Sequence, residues 1–291
     1  MTTVDVHACL ILVKEDISLT TVSSTPGSPS PRVGSASTSL GGKLYLFSGR
    51  GGTAMTPIEE NGSIWQFDPL SSSWTLLLPS VDLYPAARSY HCMASDKDDT
   101  LFVHAGCPEK GRLADLWEFS VSQRKWKQLT SAPEPARGGA SIAFAGGALY
   151  RINGFDGKAE QGGTVDVYDP KSNYWTSQTY TPDGISGPAP RSVSALLPVS
   201  ADGKSLLVTL FGERDPSSLG HQGAGRMLDD VWAYEIESKI WTKVKTNVGP
   251  EPRGWFAADV ASSSTSEMQI LVHGGLAENN ERLGDTWTLV L

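Results

Sequence analysis

The stretch "PAARSYH", residues 85–91, decides the fold, because its pattern returns along the whole chain. A proline followed closely by arginine and small residues recurs as "SPRVGSA" (30–36), "EPARGGA" (134–140), "PAPRSVS" (188–194) and "PEPRGWF" (250–256). Arg32, Arg88, Arg137, Arg191 and Arg253 are thereby spaced by 56, 49, 54 and 62 positions. Each turn precedes a β-rich run ending in glycine: "KLYLFSG" (43–49), "TLFVHAG" (100–106), "ALYRING" (148–154), "LLVTLFG" (206–212) and "MQILVHGG" (268–275). A third run centres on an aromatic residue: "SIWQFDP" (63–69), "DLWEFSV" (115–121), "DVYDPKS" (166–172), "DVWAYEI" (230–236) and "DTWTLVL" (285–291). Trp74, Trp126, Trp175 and Trp241 follow about nine residues later in four of the units. Four short strands per repeat describe a propeller blade, a twisted antiparallel sheet whose faces only its neighbours can bury.

The two ends of the chain fit that reading. The fifth unit stops at Leu291 after its third strand, without a fourth strand or its tryptophan. The leading "VHACLILV" (6–13) precedes the first turn and has no strands of its own to join. It is expected to supply the missing outer strand, closing the ring and hiding an edge otherwise open to aggregation. Thirty-eight residues follow Arg253 and 31 precede Arg32, which is one repeat with slack. The expected fold is all-β: one propeller domain over residues 1–291 with five four-stranded blades, six being the alternative count.

Composition excludes several classes. The chain has 32 acidic and 24 basic residues, a net charge of −8, and no dense Lys/Arg cluster to neutralise a row of phosphates, so nucleic acid is not an expected partner. Cys9, Cys92 and Cys107 are odd in number and widely spaced, which suggests neither a disulfide framework nor a zinc knuckle and predicts a cytoplasmic setting. The apolar "ACLILV" (8–13) is flanked by Asp5 and by Lys14, Glu15 and Asp16, unlike a secretory leader. No apolar run approaches the roughly 18 residues of a membrane span. A nucleophile elbow, a Walker loop, a dinucleotide-binding glycine motif and HExxH are all missing from the sequence.

These units resemble the kelch repeat over nearly the whole chain. The kelch diglycine survives only as Gly274-Gly275 and otherwise reads Ser48-Gly49, Ala105-Gly106, Asn153-Gly154 and Phe211-Gly212. Glycine permits positive φ and close blade packing, and tryptophan fills the wedge between blades. Kelch propellers include binding modules and enzymes alike, so function must come from the site.

The arginine after each proline lies where the inner strand begins. Two readings stand beside each other: the five guanidiniums line one mouth and hold an anionic or enolate-like ligand, or each one bridges blades through carbonyls and carboxylates. Arg32, Arg88, Arg137, Arg191 and Arg253 are the candidate substrate-binding residues. Tyr90 beside Arg88, and Trp255 and Phe256 beside Arg253, add flat platforms for a planar ligand.

The loop "FGERDPSSLGHQGAG" (211–225) carries Glu213, Asp215 and His221, and its glycines and Pro216 forbid a helix. Together with "PEPRGWF" and "LVHGGLAENNERLGDTW" it resembles the plant specifier proteins of glucosinolate breakdown, kelch propellers that work with ferrous iron. That resemblance implies an iron motif of Glu, Asp and His at four-residue steps. Glu213 and His221 match its ends, but Ser217 occupies the middle and Asp215 is two residues out of step. No metal and no cofactor are therefore expected, while Arg88, Arg137 and Trp255 match the pocket residues that the resemblance implies. The same pattern resembles fungal kelch-type enzymes of secondary metabolism that steer cyclisation of reactive substrates.

The expected function is that of a cofactor-independent cyclase or isomerase for a small planar, anionic or phenolic substrate. The resemblance implies intramolecular hydroalkoxylation of a prenylated aromatic polyketide as one such activity. Arg88, Arg137 and Arg253 would fix the phenolate edge and Tyr90, Trp255 and Phe256 would hold the rings. His91, Glu213 or His221 would donate the proton. Pre-orientation of this kind contributes on the order of 7 kcal/mol to lowering a barrier. The alternatives are a protein-binding kelch scaffold, against which the lack of an added partner domain counts, and an iron-dependent nitrile-specifier-like protein.

Overall fold

A computed structural model describes residues 12–14, 27–201, 203–218, 223–246, 249–262 and 268–290. Among the described residues there is no helix, and the expected all-β class is observed as five four-stranded antiparallel sheets, the blades of a propeller, with strands in chain order in the first four. The chain divides into two compact units, residues 19–179 and residues 1–18 with 180–291.

The first unit holds blades 1 to 3. Blade 1 consists of Ala36–Leu40, Lys43–Phe47, Ile64–Asp68 and Ser73–Leu77. Blade 2 consists of Cys92–Ser95, Thr100–His104, Leu116–Ser120 and Lys125–Leu129. Blade 3 consists of Ser141–Ala145, Ala148–Ile152, Thr164–Asp169 and Tyr174–Thr179. Successive side chains of a strand point to opposite faces, and both faces of a blade inside the stack need an apolar lining. Leu40, Phe47, Leu101, Val103, Trp117 and Trp126 accordingly fill the space between blades 1 and 2. Phe102, Leu116, Ile142, Leu149, Tyr168 and Trp175 fill that between blades 2 and 3. Trp126 Nε1 donates to Gly62 O of the preceding blade at 2.7 Å, and Trp175 Nε1 to Thr130 O at 2.8 Å. These tryptophans therefore bond as well as pack across the wedge.

The second unit holds blades 4 and 5. Blade 4 consists of Ala195–Ala201, Lys204–Leu210, Val231–Glu235 and Ile240–Val244. Blade 5 consists of Ala257–Ser262, Met268–Leu276, Arg282–Val290 and the N-terminal Leu12–Lys14. Leu12 pairs with Leu289, Val13 with Thr288 and Lys14 with Trp287. Residues 6–11 of the stretch proposed for this outer strand lie outside the described residues. Val208, Leu210, Phe211, Ile270, Val272 and Leu289 form the core between the two blades.

A backbone stitch joins adjacent blades within each unit. The glycine that ends the second strand donates to the carbonyl of the next blade's arginine: Gly49 N to Arg88 O, Gly106 N to Arg137 O and Gly212 N to Arg253 O, each at 2.9 Å. The residue before each glycine also has positive φ: Ser48 at 43°, Ala105 at 61°, Asn153 at 60°, Phe211 at 56° and Gly274 at 66°. The left-handed pair of the diglycine thus persists where its first glycine does not, which explains why the sequence departure leaves the fold unchanged. The second glycine has no such latitude. A Cβ on Gly106, at φ 98°, would stand 2.7 Å from His91 Cβ and 2.8 Å from Ser89 O.

Gly106→Ala is therefore expected to destabilise the protein by about 3 kcal/mol, through strain and a backbone clash. Chemical denaturation of the full chain checks this, with Gly146→Ala, where a Cβ would meet nothing within 4 Å, as the milder control.

Candidate functional site

Four of the five repeated arginines are buried within their blades, and Arg32 is half-buried. Arg88 is 1% exposed, Arg137 3%, and Arg191 and Arg253 0%. Their hydrogen bonds follow one plan. Nε donates to the carbonyl two residues back: Arg32 to Ser30, Arg88 to Ala86, Arg137 to Pro135, Arg191 to Ala189 and Arg253 to Glu251. Nη1 donates to the carbonyl of the left-handed residue before the glycine: Ser48, Ala105, Asn153, Phe211 and Gly274.

Four of the five then close a two-pronged clamp on a carboxylate. Arg88 bonds Asp115 at 2.6 and 2.9 Å, Arg191 bonds Asp230 at 2.6 and 3.0 Å, and Arg253 bonds Asp285 at 2.6 and 3.0 Å. Arg32 takes Glu60 at 2.9 Å on both oxygens. The indole of the third strand steadies each carboxylate, with Trp65 donating to Glu60, Trp117 to Asp115, Trp232 to Asp230 and Trp287 to Asp285. Planar guanidinium and carboxylate match edge to edge, and the bonds are charge-assisted. The carbonyl and carboxylate partners expected of a bridging arginine are present, but the clamped four find them within one blade and tie its parts together. Four of the five N–H donors of Arg88, Arg191 and Arg253, and all five of Arg32, are engaged inside the protein.

The other expected residues are placed as follows. His91 is 6% exposed and packs edge-on against Phe47 with ring centroids 5.6 Å apart. Burial, reinforced by the Arg88 charge and weakly opposed by the Phe47 backbone, pushes its pKa down to about 3, so it carries no imidazolium proton near neutrality. Phe256 packs on Phe211 at 5.4 Å in the core of blades 4 and 5. Trp255 is half-buried with φ 62° and donates its backbone N–H to Val193 O at 3.2 Å. Tyr90 holds the equivalent position in blade 2, also half-buried, with φ 55°.

Glu213 is 7% exposed, and its Oε1 accepts from Gly225 N at 2.5 Å. His221 lies outside the described residues. The donor set fits the specifier iron site poorly. Ser217 supplies a hydroxyl where that motif has a carboxylate, and Asp215 is engaged by Arg214 Nε at 3.1 Å. Among the described residues no three His, Cys, Asp or Glu side chains gather to hold a metal.

A different group converges at the loop ends of blades 1 to 3. The residue directly after each repeat glycine forms a bridge to the residue after the clamp arginine: Arg50 with Val33, Cys107 with Ser89 and Phe155 with Gly138. Arg50 lies over the Tyr90 ring at 5.8 Å, and Arg112, from the loop after Cys107, lies over Phe155 at 5.0 Å. Both guanidiniums act on Cys107, but burial outweighs them and raises the thiol pKa above its ordinary value. All five side chains are half-buried. Nε of Arg50 and Nε of Arg112 are buried without a hydrogen-bond partner.

Small neighbours make the space. A Cβ on Gly34 would stand 2.8 Å from the Tyr90 ring, one on Gly138 2.7 Å from Cys107 Sγ, and one on Gly157 2.5 Å from Arg112 Nη1. Sequence reasoning missed Arg50, Cys107, Arg112 and Phe155 because it followed what the repeats share. The signal lay in what they do not share: the position after the glycine reads Arg50, Cys107, Phe155, Glu213 and Leu276.

The repeats match a known family. Residues 3–212 match the KLHDC2/KLHL20/DRC7 Kelch-repeats domain. The chain is a kelch-repeat protein. It is 28% identical over 288 residues to N-(sulfonatooxy)prop-2-enimidothioate sulfolyase of Thlaspi arvense, an alignment covering 89% of this chain and 77% of that protein. It is 25% identical over 216 residues to human host cell factor 2, covering 67% of this chain but 25% of that protein. The solved structure of YjhT superposes with a TM-score of 0.66 at 16% identity, covering 88% of this kelch chain and 80% of the other, a likeness of fold.

The clamps generate two expectations. Asp115→Ala leaves the Arg88 charge buried and unpaired, and calorimetry should show a loss of about 3–5 kcal/mol. The second concerns acid. The Arg253 hydrogen bond, opposed by burial and helped by Trp287, holds Asp285 down at about 2 against an ordinary 3.8. A depressed carboxylate contributes stability above its unfolded pKa and loses it as pH falls through the folded one. The melting temperature should therefore fall between about pH 4 and 2, and Asp285→Asn should flatten that part of the curve.

Proposed function

We propose that this kelch-repeat protein binds a small planar molecule with an anionic or phenolic edge at the loop ends of blades 1 to 3 and promotes its non-redox rearrangement. One observation carries the reading: Arg50 and Arg112, each stacked on an aromatic ring and both acting on the Cys107 thiol, leave buried Nε donors unpartnered. A buried donor without a partner is costly, and a ligand oxygen would satisfy it. Stacking on Tyr90 and Phe155 already orients the two forks. The substrate's anionic edge would sit between them and its ring against the aromatics. The name of the Thlaspi arvense relative supports an anionic substrate, since a sulfonatooxy group carries a negative charge.

The finer reading is a cofactor-independent cyclase or isomerase, with intramolecular hydroalkoxylation of a prenylated aromatic polyketide in a fungal secondary-metabolite pathway as the specific case. In that step the substrate hydroxyl adds across its own alkene, so the protein's main contribution is to hold oxygen and carbon within reacting distance. Cytoplasmic residence belongs to the same proposal. No helix among the described residues is long and apolar enough to cross a membrane.

A protein-binding scaffold is the second reading. It is favoured by Leu76, Leu78, Val81 and Leu83, which are 36%, 59%, 37% and 53% exposed along and beyond the outer strand of blade 1.

Titration with a planar phenolate such as a hydroxynaphthoate, followed by calorimetry, separates the two. The expected result is saturable binding that Arg50→Ala and Arg112→Ala each weaken by about tenfold or more, the loss of one charge-assisted bond. No binding, or binding indifferent to both substitutions, sinks the small-molecule reading.

A further inference from the structure

Blade 3 departs from the clamp plan in a way that leaves an arginine without its anion. Across the second and third strands, Trp65 faces Leu46, Trp117 faces Val103, Trp232 faces Thr209 and Trp287 faces Val272. The same pair in blade 3 is Asp166 and Arg151. Two residues upstream of it, where blades 2, 4 and 5 carry Asp115, Asp230 and Asp285, blade 3 carries Thr164. The aspartate has in effect moved one step along the face of the strand, and it serves another partner there. Arg151 donates to Asp166 Oδ2 through Nε at 2.9 Å and Nη2 at 2.6 Å, and the Ser177 hydroxyl donates to Oδ1 at 2.5 Å.

Arg137 keeps the rest of the plan, with Nε on Pro135 O at 3.1 Å and Nη1 on Asn153 O at 3.0 Å. Among the described residues the ion pairs of the other four repeated arginines have no counterpart at Arg137. Nor is it rescued from upstream as Arg32 is by Glu60, three residues before Ser63. Gln161, three before Thr164, turns its amide to Asp156 Oδ2 at 3.0 Å. Two buried guanidiniums, Arg137 and Arg151, therefore share the neighbourhood of one buried carboxylate, Asp166, with Asp156 acting from farther off. In the other blades the clamp carboxylate is 12–22% exposed, so its place is within reach of solvent.

We propose that a small free monocarboxylate of the size of formate or acetate binds Arg137 at the place left by Thr164 and completes the blade 3 clamp. The fork that grips a side-chain carboxylate in the sister blades has the right spacing for the same group in solution. Arg151, left with a surplus donor in Nη1, adds positive potential at the spot. Burial and the Arg151 charge pull the Arg137 pKa down to about 10, so it is still a cation at neutral pH. This site uses none of the residues of the loop-end reading and stands or falls separately from it.

The test is thermal unfolding of the full chain in sodium formate against sodium chloride at equal ionic strength. A ligand specific to the native state must stabilise it. The expected result is a saturable rise on the order of 2 °C or more with formate over chloride. Thr164→Asp, which supplies the carboxylate from the chain, should raise the melting temperature in chloride and abolish the formate increment. Should that variant fail to fold, Arg137→Gln should abolish the increment instead, while Lys125→Ala, at an exposed lysine outside both sites, should leave it intact. Identical curves in formate and chloride, or an increment that survives Thr164→Asp or Arg137→Gln, would overturn the proposal.

Discussion

The structure depends on one buried contact repeated along the chain: a guanidinium held between a left-handed carbonyl and a carboxylate of its own blade. An isolated buried arginine would be strongly disfavoured, but here each is supplied with oriented oxygens before the chain leaves the blade. The tie reaches far in sequence. Arg88 and Asp115 are 27 residues apart, Arg253 and Asp285 32, and Arg191 and Asp230 39. It therefore fixes the start of the first strand against the end of the second and the beginning of the third, a registration that short-range turns alone cannot supply. The tryptophan indole that steadies the carboxylate is also a core side chain, so the polar tie and the apolar wedge are built on one residue.

The left-handed pair at the end of the second strand connects that tie to the next blade. Its first residue presents the carbonyl to the arginine, and its glycine donates to the carbonyl of the following arginine, as Gly106 does to Arg137. Local strain at positions such as Phe211 and Ala105 is thus compensated on both sides. The residue immediately after the glycine is free of these duties. Its side chain accordingly differs from blade to blade, reading Arg50, Cys107, Phe155, Glu213 and Leu276, while its backbone bridges to the residue after the clamp arginine.

Much of this was legible in the sequence. The spacing of the five Pro-Arg turns, the glycine-ended runs and the late tryptophans specify blades, because each is a local pattern with a single physical use. The destination of the arginines was not legible. Their partners Asp115, Asp230 and Asp285 stand in plain view before Leu116, Val231 and Thr286, yet only three-dimensional closure brings them to the guanidiniums. The place of His91 was not legible either: it is buried against Phe47, while Tyr90 beside it, at positive φ, is half-buried. Arg50 and Arg112 carry no motif, so only their stacking and their unsatisfied donors single them out.

A double-mutant cycle on Arg191 and Asp230 tests the clamp most directly. Arg191→Met, Asp230→Leu and the double variant would be compared by denaturant unfolding. The account predicts strong coupling, with the double variant no less stable than either single variant, because removing both partners leaves no orphaned charge. Additive losses, with the double variant as unstable as the two singles summed, would show that the pair is incidental and that the blades are registered by something else.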